Sequence, residues 1–473
     1  MTNSSIRRTW WLLLALSASA CSFINGSGFE ECTTDQQCGS SRVCVQKYCL
    51  PMPAQCRREV GAFDDPRAVR IAALLPLSAG FDGGPVDNSE IAGLNALSLA
   101  VLDVNGRGGL DNRRFTLVVC NTGNSSEALG EQLAWAIEQL AVPAIVTSGS
   151  RQTTVATENP ARSDAGTMII SATATSPELI GLFARTKAVW RVAPPDTLQA
   201  KVLTRLITTE PGLSTLNDVA IVHEDGPYGQ GLASPLREQL ADAGRRTETF
   251  EYRSSENEAT PPGLLDRVAA FHQSSRNPRL TVFVGFPRQG TPTVADSRTR
   301  APLSAASGNV WLFSDAMKDP ALVNSLTRFE IAGSFGTAPA QGAGGAYDDF
   351  RNRYRGEFKL DPNDFSFTSH SYDAAFLVML AAAHASRDGG VLNGPRLNEG
   401  MVALSSRSGP SYRVGPTTWR DASAALTGGM SINLEGASGG LDFDLDAGAP
   451  ASPYEIWQVT DGGTFTTVRL VNP

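Results

Sequence analysis

Residues 171–179, "SATATSPEL", set four hydroxyl side chains, Ser171, Thr173, Thr175 and Ser176, immediately ahead of a proline. Small polar residues at such a place satisfy the unpaired N–H groups of a helix's first turn, and the same hydroxyls and amides can hold an anion. Pro177 suits a first helical turn because it has no N–H to leave unpaired, and Glu178 then falls in that turn. Thr173 and Thr175, with their backbone amides, are left as donors to something negative. A second hydroxyl-rich stretch, "TSGSRQTT" (147–154), also follows an apolar run. Two such loops from neighbouring strands would grip one carboxylate between them. A plain helix cap explains Thr175 as well, and both roles can coexist.

Other chemistry finds few residues to carry it. The four histidines, His223, His272, His370 and His384, stand in no H-E-x-x-H pattern, and no C-x-x-C pair accompanies them. "GLDNRRF" and "NGRGG" read as turns rather than phosphate cradles, and "GPSYRVG" lacks the G-x-S-x-G elbow. The expectation is a protein that is not an enzyme and has neither metal nor cofactor. A net charge of −8 without a basic stripe gives no electrostatic footprint for nucleic acid.

The N-terminus carries an address. Arg7 and Arg8 precede the apolar run "WWLLLAL" (10–16), and "SASA" leads to Cys21. This is a secretory signal over residues 1–20, too short to span a bilayer. Cys21 after Ala20 fits a lipobox, so acylation there would anchor the chain to a membrane, although Ala18 stands where such boxes usually carry Leu. Ser22 is not the Asp that often retains lipoproteins at the inner membrane, so the expected place is the periplasmic side of either membrane. Cys32, Cys38, Cys44, Cys49 and Cys56 crowd into 25 residues, and Cys120 stands alone. In an exported chain these six read as a disulfide framework. The odd member of the cluster is expected to pair with Cys120 and pin the module to the main body.

What must position the hydroxyl-rich loops is a series of strands and helices. Short apolar runs, "VRIAALLPL" (69–77), "FTLVVCN" (115–121), "AIVTSG" (144–149), "TMIIS" (167–171), "DVAIVHED" (218–225), "LTVFVGF" (280–286) and "NVWLFSD" (309–315), read as buried parallel strands. Between them lie helix patterns. "NSEIAGLNALSLAVLDVN" puts Ile91, Leu94, Leu97 and Val101 on one face, behind an Asp87…Glu90 start like a capping box. Such alternation over 250 residues predicts an α/β fold with parallel sheets. The Gly- and Ala-rich stretch 331–350, the long helix pattern "SYDAAFLVMLAAAHAS" and the strand-like "LDFDLDAG" and "YEIWQVTDGG" suggest a second lobe and a return crossing.

The ordered series "IAALLPLSAG", "GLNALSLAVLDVNGRGGLDNRRFTLVVCN", "SGSRQTTVA", "GTMIISATATSPEL", "VAIVHEDGPYGQGLA", "SYDAAF" and "LDFDLDAGAPASPYEIWQV" resembles the periplasmic binding proteins of the leucine/isoleucine/valine type, over roughly residues 67 to 473. The resemblance implies two Rossmann-like lobes joined by hinge crossovers. One lobe would take 67–194 with 336–440, the other 195–335 with 441–473, after a lipidated, Cys-rich segment 21–66. It also implies a small amino-acid-like ligand in the cleft and an ABC permease as partner; a sensory module of the same fold is the alternative. Thr175 and the backbone of Thr173 and Ala174 match the segment that grips a ligand carboxylate. The partner hydroxyl falls at Gln152 or Thr153, a departure from the family's Ser-rich run, with Arg151 beside it. Tyr228 matches a cleft-edge aromatic, Asp315 the ammonium-binding acid, and Phe286 and Phe367 the side-chain pocket. Specificity would lie in loops such as 286–302.

Overall fold

Strands made almost wholly of apolar residues need cover on both faces, and the chain supplies it twice. The computed structural model describes residues 30–78, 86–254, 260–273, 279–325 and 328–473. The signal-like run and Cys21 lie outside these described residues. Six strands form one sheet, in the order Cys56–Gly61, Phe115–Asn121, Val69–Leu75, Ala144–Thr147, Met168–Ser171 and Val189–Arg191. Every pair is parallel except the first. Seven strands form the other: Arg246–Tyr252, Asp218–Glu224, Arg279–Val284, Asn309–Phe313, Phe335–Pro339, Tyr454–Val459 and Phe465–Val471. Its last two strands are antiparallel additions. The expected pair of α/β lobes, preceded by a small Cys-rich module, is the fold.

The strand Asp218–Glu224 shows why its sequence reads as an unbroken apolar run. Ala220 and Val222 face one buried cluster with Phe250, Phe283, Phe313 and Trp457. Val219 and Ile221 face another, beneath the helices Asp196–Thr209 and Pro227–Asp242. Side chains alternate across a strand, so two covered faces demand apolar residues at both parities. In the first lobe, the helix Thr368–Ala385 is buried at all its positions, and it packs against the helix Asn88–Asn105. From Ala374 to Ala383 every residue is apolar, as that central place requires. Asp87 caps the helix Asn88–Asn105 by accepting the Glu90 N–H at 3.1 Å. Only half of the expected capping box forms, because the Glu90 carboxylate turns instead to the Ser148 hydroxyl.

Several elements differ from the sequence expectations. Phe335–Pro339, inside the Gly- and Ala-rich stretch, is a strand of the seven-stranded sheet, so that sheet runs past residue 335. Gly336 makes it possible: a Cβ there would lie 2.0 Å from the Trp457 ring. Cys56–Gly61 belongs to the six-stranded sheet rather than to the module alone. "LDFDLDAG" forms only the short pairing of Phe443–Asp444 with Ala449–Pro450, and Phe443 packs into the first lobe against Trp190. The stretch 286–302 is not a loop but is largely the helix Pro287–Ser297, with Pro292 inside it.

The module has almost no core of its own beyond its sulfurs. Cys32 pairs with Cys44 and Cys38 with Cys49, and these four form its buried cluster. Val43 and Met52 are instead buried in the first lobe's core. Buried Asp35 receives the Cys44 N–H at 2.7 Å and the Arg70 guanidinium at 2.8 Å, tying module to lobe. The third bridge joins Cys56 to Cys120, which face each other across the antiparallel strands.

Candidate ligand-binding site

Ligands of open α/β sheets gather beyond the carboxyl ends of the strands. Both sheets here turn those ends toward one crevice. From the first lobe come Leu75, Thr147, Ser148, Gly149, Ala172 and Thr173, each at or just past a strand end. From the second come Tyr228, Phe286, Pro287 and Asp315, which follow the strands Asp218–Glu224, Arg279–Val284 and Asn309–Phe313. Between them lies a cavity of about 90 Å³. At about 30 Å³ of liquid volume per water, this inner cavity has room for roughly three waters. It shares a wall with an outer cleft of about 710 Å³, lined by Arg151, Gln152, Glu224 and Arg288 among others.

Five of the residues singled out from sequence line the inner cavity: Thr173, Tyr228, Phe286, Asp315 and Phe367. Asp315 opens a short 3-10 turn, Asp315–Met317, and is buried. Its Oδ1 accepts hydrogen bonds from the Tyr228 hydroxyl at 2.7 Å and the Gln199 amide at 2.9 Å. The Tyr228 and Phe286 rings stand with centroids 5.6 Å apart. Phe367 holds a left-handed backbone (φ 65°) at the start of the helix Thr368–Ala385, which turns its ring to the cavity wall.

The carboxylate-gripping residues are placed differently from the expectation. Gln152 reaches only the outer cleft, where its Nε2 donates to Thr122 Oγ1 and the Gly123 carbonyl. Thr153 is buried, and its hydroxyl bonds back to the Gly149 carbonyl at 2.7 Å. The physical reason is the helix start. The helix begins at Ser150, after Gly149 with φ 71°, so Thr153 lies one turn inside and bonds the carbonyl four residues back. Ala174 and Thr175 do not line the cavity. The Ala174 N–H goes to Ser171 Oγ at 3.2 Å, and the N–H groups of Thr175 and Ser176 go to Ser150 Oγ at 3.1 and 3.0 Å. The Thr175 side chain instead lies against the Asp196 carboxylate at the crossover between lobes.

Sequence reasoning missed Ser148 and Glu90. Ser148 Oγ meets both Glu90 and Thr173 Oγ1, and Thr173 Oγ1 accepts the Gly149 N–H at 2.7 Å. A signal was present, since Ser148 sits in the hydroxyl-rich stretch 147–154, but the expected position, Gln152 or Thr153, falls four or five residues beyond it, inside the helix that begins at Ser150. Glu90 was read only as a capping residue.

The wall is acidic. Burial pushes the Glu90 carboxyl up to about 8, helped by neighbouring Asp87, against the pull of the Ser148 hydroxyl. Burial likewise raises Asp87 to about 6, against the Glu90 N–H. Asp315 rises to about 6 through burial, against its Tyr228 and Gln199 hydrogen bonds. Asp196 stands well above the usual carboxylate range because it is buried and near Asp315.

Contacts cross the crevice. Ser89 Oγ donates to Asp319 Oδ2 at 2.6 Å, and Ser366 Oγ to the Asp315 carbonyl at 2.8 Å. Arg151 reaches Asp225 at 3.3 Å and Glu224 at 3.7 Å in the other lobe, with about half its side chain exposed. Exposed pairs contribute about 0.2–1 kcal/mol. Arg151→Ala is therefore expected to speed ligand release by at most about fivefold, measured by stopped-flow fluorescence. An unchanged off-rate would show that this pair does not hold the lobes together.

A model of the receptor family ligand binding region matches residues 92–462. The chain is 25% identical over 408 residues to the chemotactic signal transduction system substrate-binding protein BasB of Halobacterium salinarum, covering 85% of this chain and 89% of that one. A leucine binding protein from Thermotoga maritima has the same fold, with a TM-score of 0.67 at 15% identity over 86% of this chain and 99% of that one. The substrate binding protein LivJ from Streptococcus pneumoniae, in complex with isoleucine, gives 0.65 at 17% identity, over 86% of this chain and all of that one. A solute binding protein from Rhodopseudomonas palustris, in complex with 3,4-dihydroxybenzoic acid, gives 0.63 at 14% identity, over 86% and 98%. One fold thus holds different solutes, and its likeness does not name the ligand. Matched over most of its length by the family model, and with two lobes opening onto a shared cavity, this chain belongs to the receptor ligand-binding-region family of non-enzymatic solute-binding proteins of the type I periplasmic fold.

Proposed function

We propose that this protein is an extracytoplasmic, lipid-anchored receptor that takes up an amino acid or similar small polar solute between its lobes and presents it to an ABC importer. One observation carries the reading: Thr173 of one lobe and Tyr228, Phe286 and Asp315 of the other line a single cavity, which shares Ser148, Tyr228 and Phe286 with the larger outer cleft. Cys21, with its flanking small residues, supports the anchor. A sensory role without a permease is the second reading, favoured by the likeness to the chemotaxis protein BasB and by a disulfide module that simple delivery does not require.

A thermal-shift panel of amino acids and amines tests the reading, because a ligand at a hundred times its Kd stabilises the folded state by about 2.7 kcal/mol. At least one small solute is expected to raise the midpoint, with the rise abolished by Asp315→Ala. A panel without any shift would overturn it. Deleting the gene separates the two roles: loss of uptake marks delivery, and loss of response with uptake intact marks sensing.

A further inference from the structure

The inner cavity carries three carboxylates, from Asp87, Glu90 and Asp315, and among the described residues no lysine, arginine or histidine lines it. A leucine-like zwitterion needs one acid and one set of anion donors. Here four of the candidate anion donors are already engaged: the amides of Gly149, Ala174, Thr175 and Ser176 all end on hydroxyls of the protein itself. Arg151 and Arg288 stand only at the outer cleft, and Arg151 is met there by Glu224 and Asp225. The cavity's remaining walls include the Tyr228, Phe286 and Phe367 rings, whose faces attract cations.

We propose that the cleft selects a small amine with more positive than negative charge, a short alkyl diamine or a basic amino acid, with Asp315 meeting one cationic centre and Glu90 and Asp87 meeting the other. This rests on the cleft being the ligand site. The two acidic poles lie on opposite lobes, so a ligand with a cation at each end bridges them. Around Glu90 stand Asp87 on its own helix, Ser148 from the adjacent loop, and Tyr228 and Asp315 from across the cavity; Asp319 stands near Asp87. Among the described residues no base offsets them in the wall. With folded values of about 8 for Glu90 and about 6 for Asp87, a dication binds best when both are ionised, so its affinity rises between pH 6 and 8.

Isothermal titration of the full chain with putrescine, L-lysine and L-leucine is the test, on the unaltered protein, Glu90→Gln and Asp87→Asn. Glutamine keeps the Ser148 contact and asparagine keeps the helix cap, so both variants are built to fold. Putrescine or lysine is expected to bind at least about tenfold tighter than leucine, and each variant to weaken the amine about tenfold while moving leucine less than threefold, tenfold being 1.4 kcal/mol. Leucine binding as tightly as both amines would sink the charge preference and leave the cleft reading standing. Amine binding untouched by both variants and by Asp315→Asn would place the ligand elsewhere and sink both, as would silence from all three probes.

Discussion

Asp315→Ala will abolish useful affinity for any ligand that brings an ammonium group into the cleft, weakening binding by about 3–5 kcal/mol, or two to nearly four orders of magnitude. The size follows from burial. Asp315 is 2% exposed, and a cation closed in beside it has exchanged water for this carboxylate. Removing one member of such a pair leaves the other charge buried without compensation, which costs far more than the pair itself contributes. The same burial gives the prediction a second, opposite readout. Burial holds the Asp315 carboxyl up near 6, so the folded, ligand-free protein binds its proton more tightly than the unfolded chain does. The sign is that stability at Asp315 is greatest below pH 4 and is lost as pH rises through about 6. At neutral pH the ionised group therefore weakens the empty protein, and Asp315→Asn is expected to raise its melting midpoint while lowering affinity. Calorimetry and thermal melts on one preparation measure both. Retained affinity would show that the ligand's charge is met elsewhere, and a lowered midpoint for Asp315→Asn would show that the carboxylate is structural.

The sequence made the two-lobed scaffold readable because central parallel strands leave no ambiguity. Val219 to Val222 are apolar at both parities, and only a sheet covered on both faces explains that. Arg246–Tyr252 escaped notice because, as an edge strand, it alternates exposed Arg246, Glu248 and Glu251 with inward residues. Phe465–Val471, the other edge, is largely exposed and carries no apolar run. The site was half legible. Residues that directly follow a strand, Asp315 and Thr173, could be placed because a strand's end fixes where a side chain emerges. Residues that depend on where a helix begins could not: with the start at Ser150, Thr153 turns inward, and the cavity wall goes to Ser148, five residues earlier. Glu90 illustrates a different limit. Three residues after Asp87 it satisfies a local capping pattern, and nothing nearby in the chain announces that Ser148, 58 residues away, draws its carboxylate to the crevice instead.

The replacement of Cys56 and Cys120 by serine is expected to cost the first lobe about 4 kcal/mol, the largest stability loss available from a single cross-link in this chain. The bridge closes a loop of sequence separation 64, against 12 and 11 for the two bridges inside the module. Chain-entropy cost grows with the logarithm of loop length, giving about 4 kcal/mol for the long loop and about 3 for each short one. The two classes of bridge also do different things. The short bridges stand in for a core, since the module's buried cluster is those four sulfurs, and their reduction should unfold the module locally. Cys56–Cys120 fastens that module to a sheet edge, where Cys56–Gly61 already pairs with Phe115–Asn121 through backbone hydrogen bonds. The strand therefore has reason to stay in place without its bridge, and the cavity, which takes no lining residue from Cys56–Gly61 or Phe115–Asn121, keeps its walls. Urea unfolding of Cys56→Ser/Cys120→Ser should show a lower midpoint with an undiminished slope and unaltered ligand affinity. A loss below about 1 kcal/mol would mean that the unfolded loop is already held compact without the bridge. A collapse of affinity would mean that the disulfide shapes the cleft from a distance, through the strand Val69–Leu75 that lies beside Phe115–Asn121 and ends at the cavity wall.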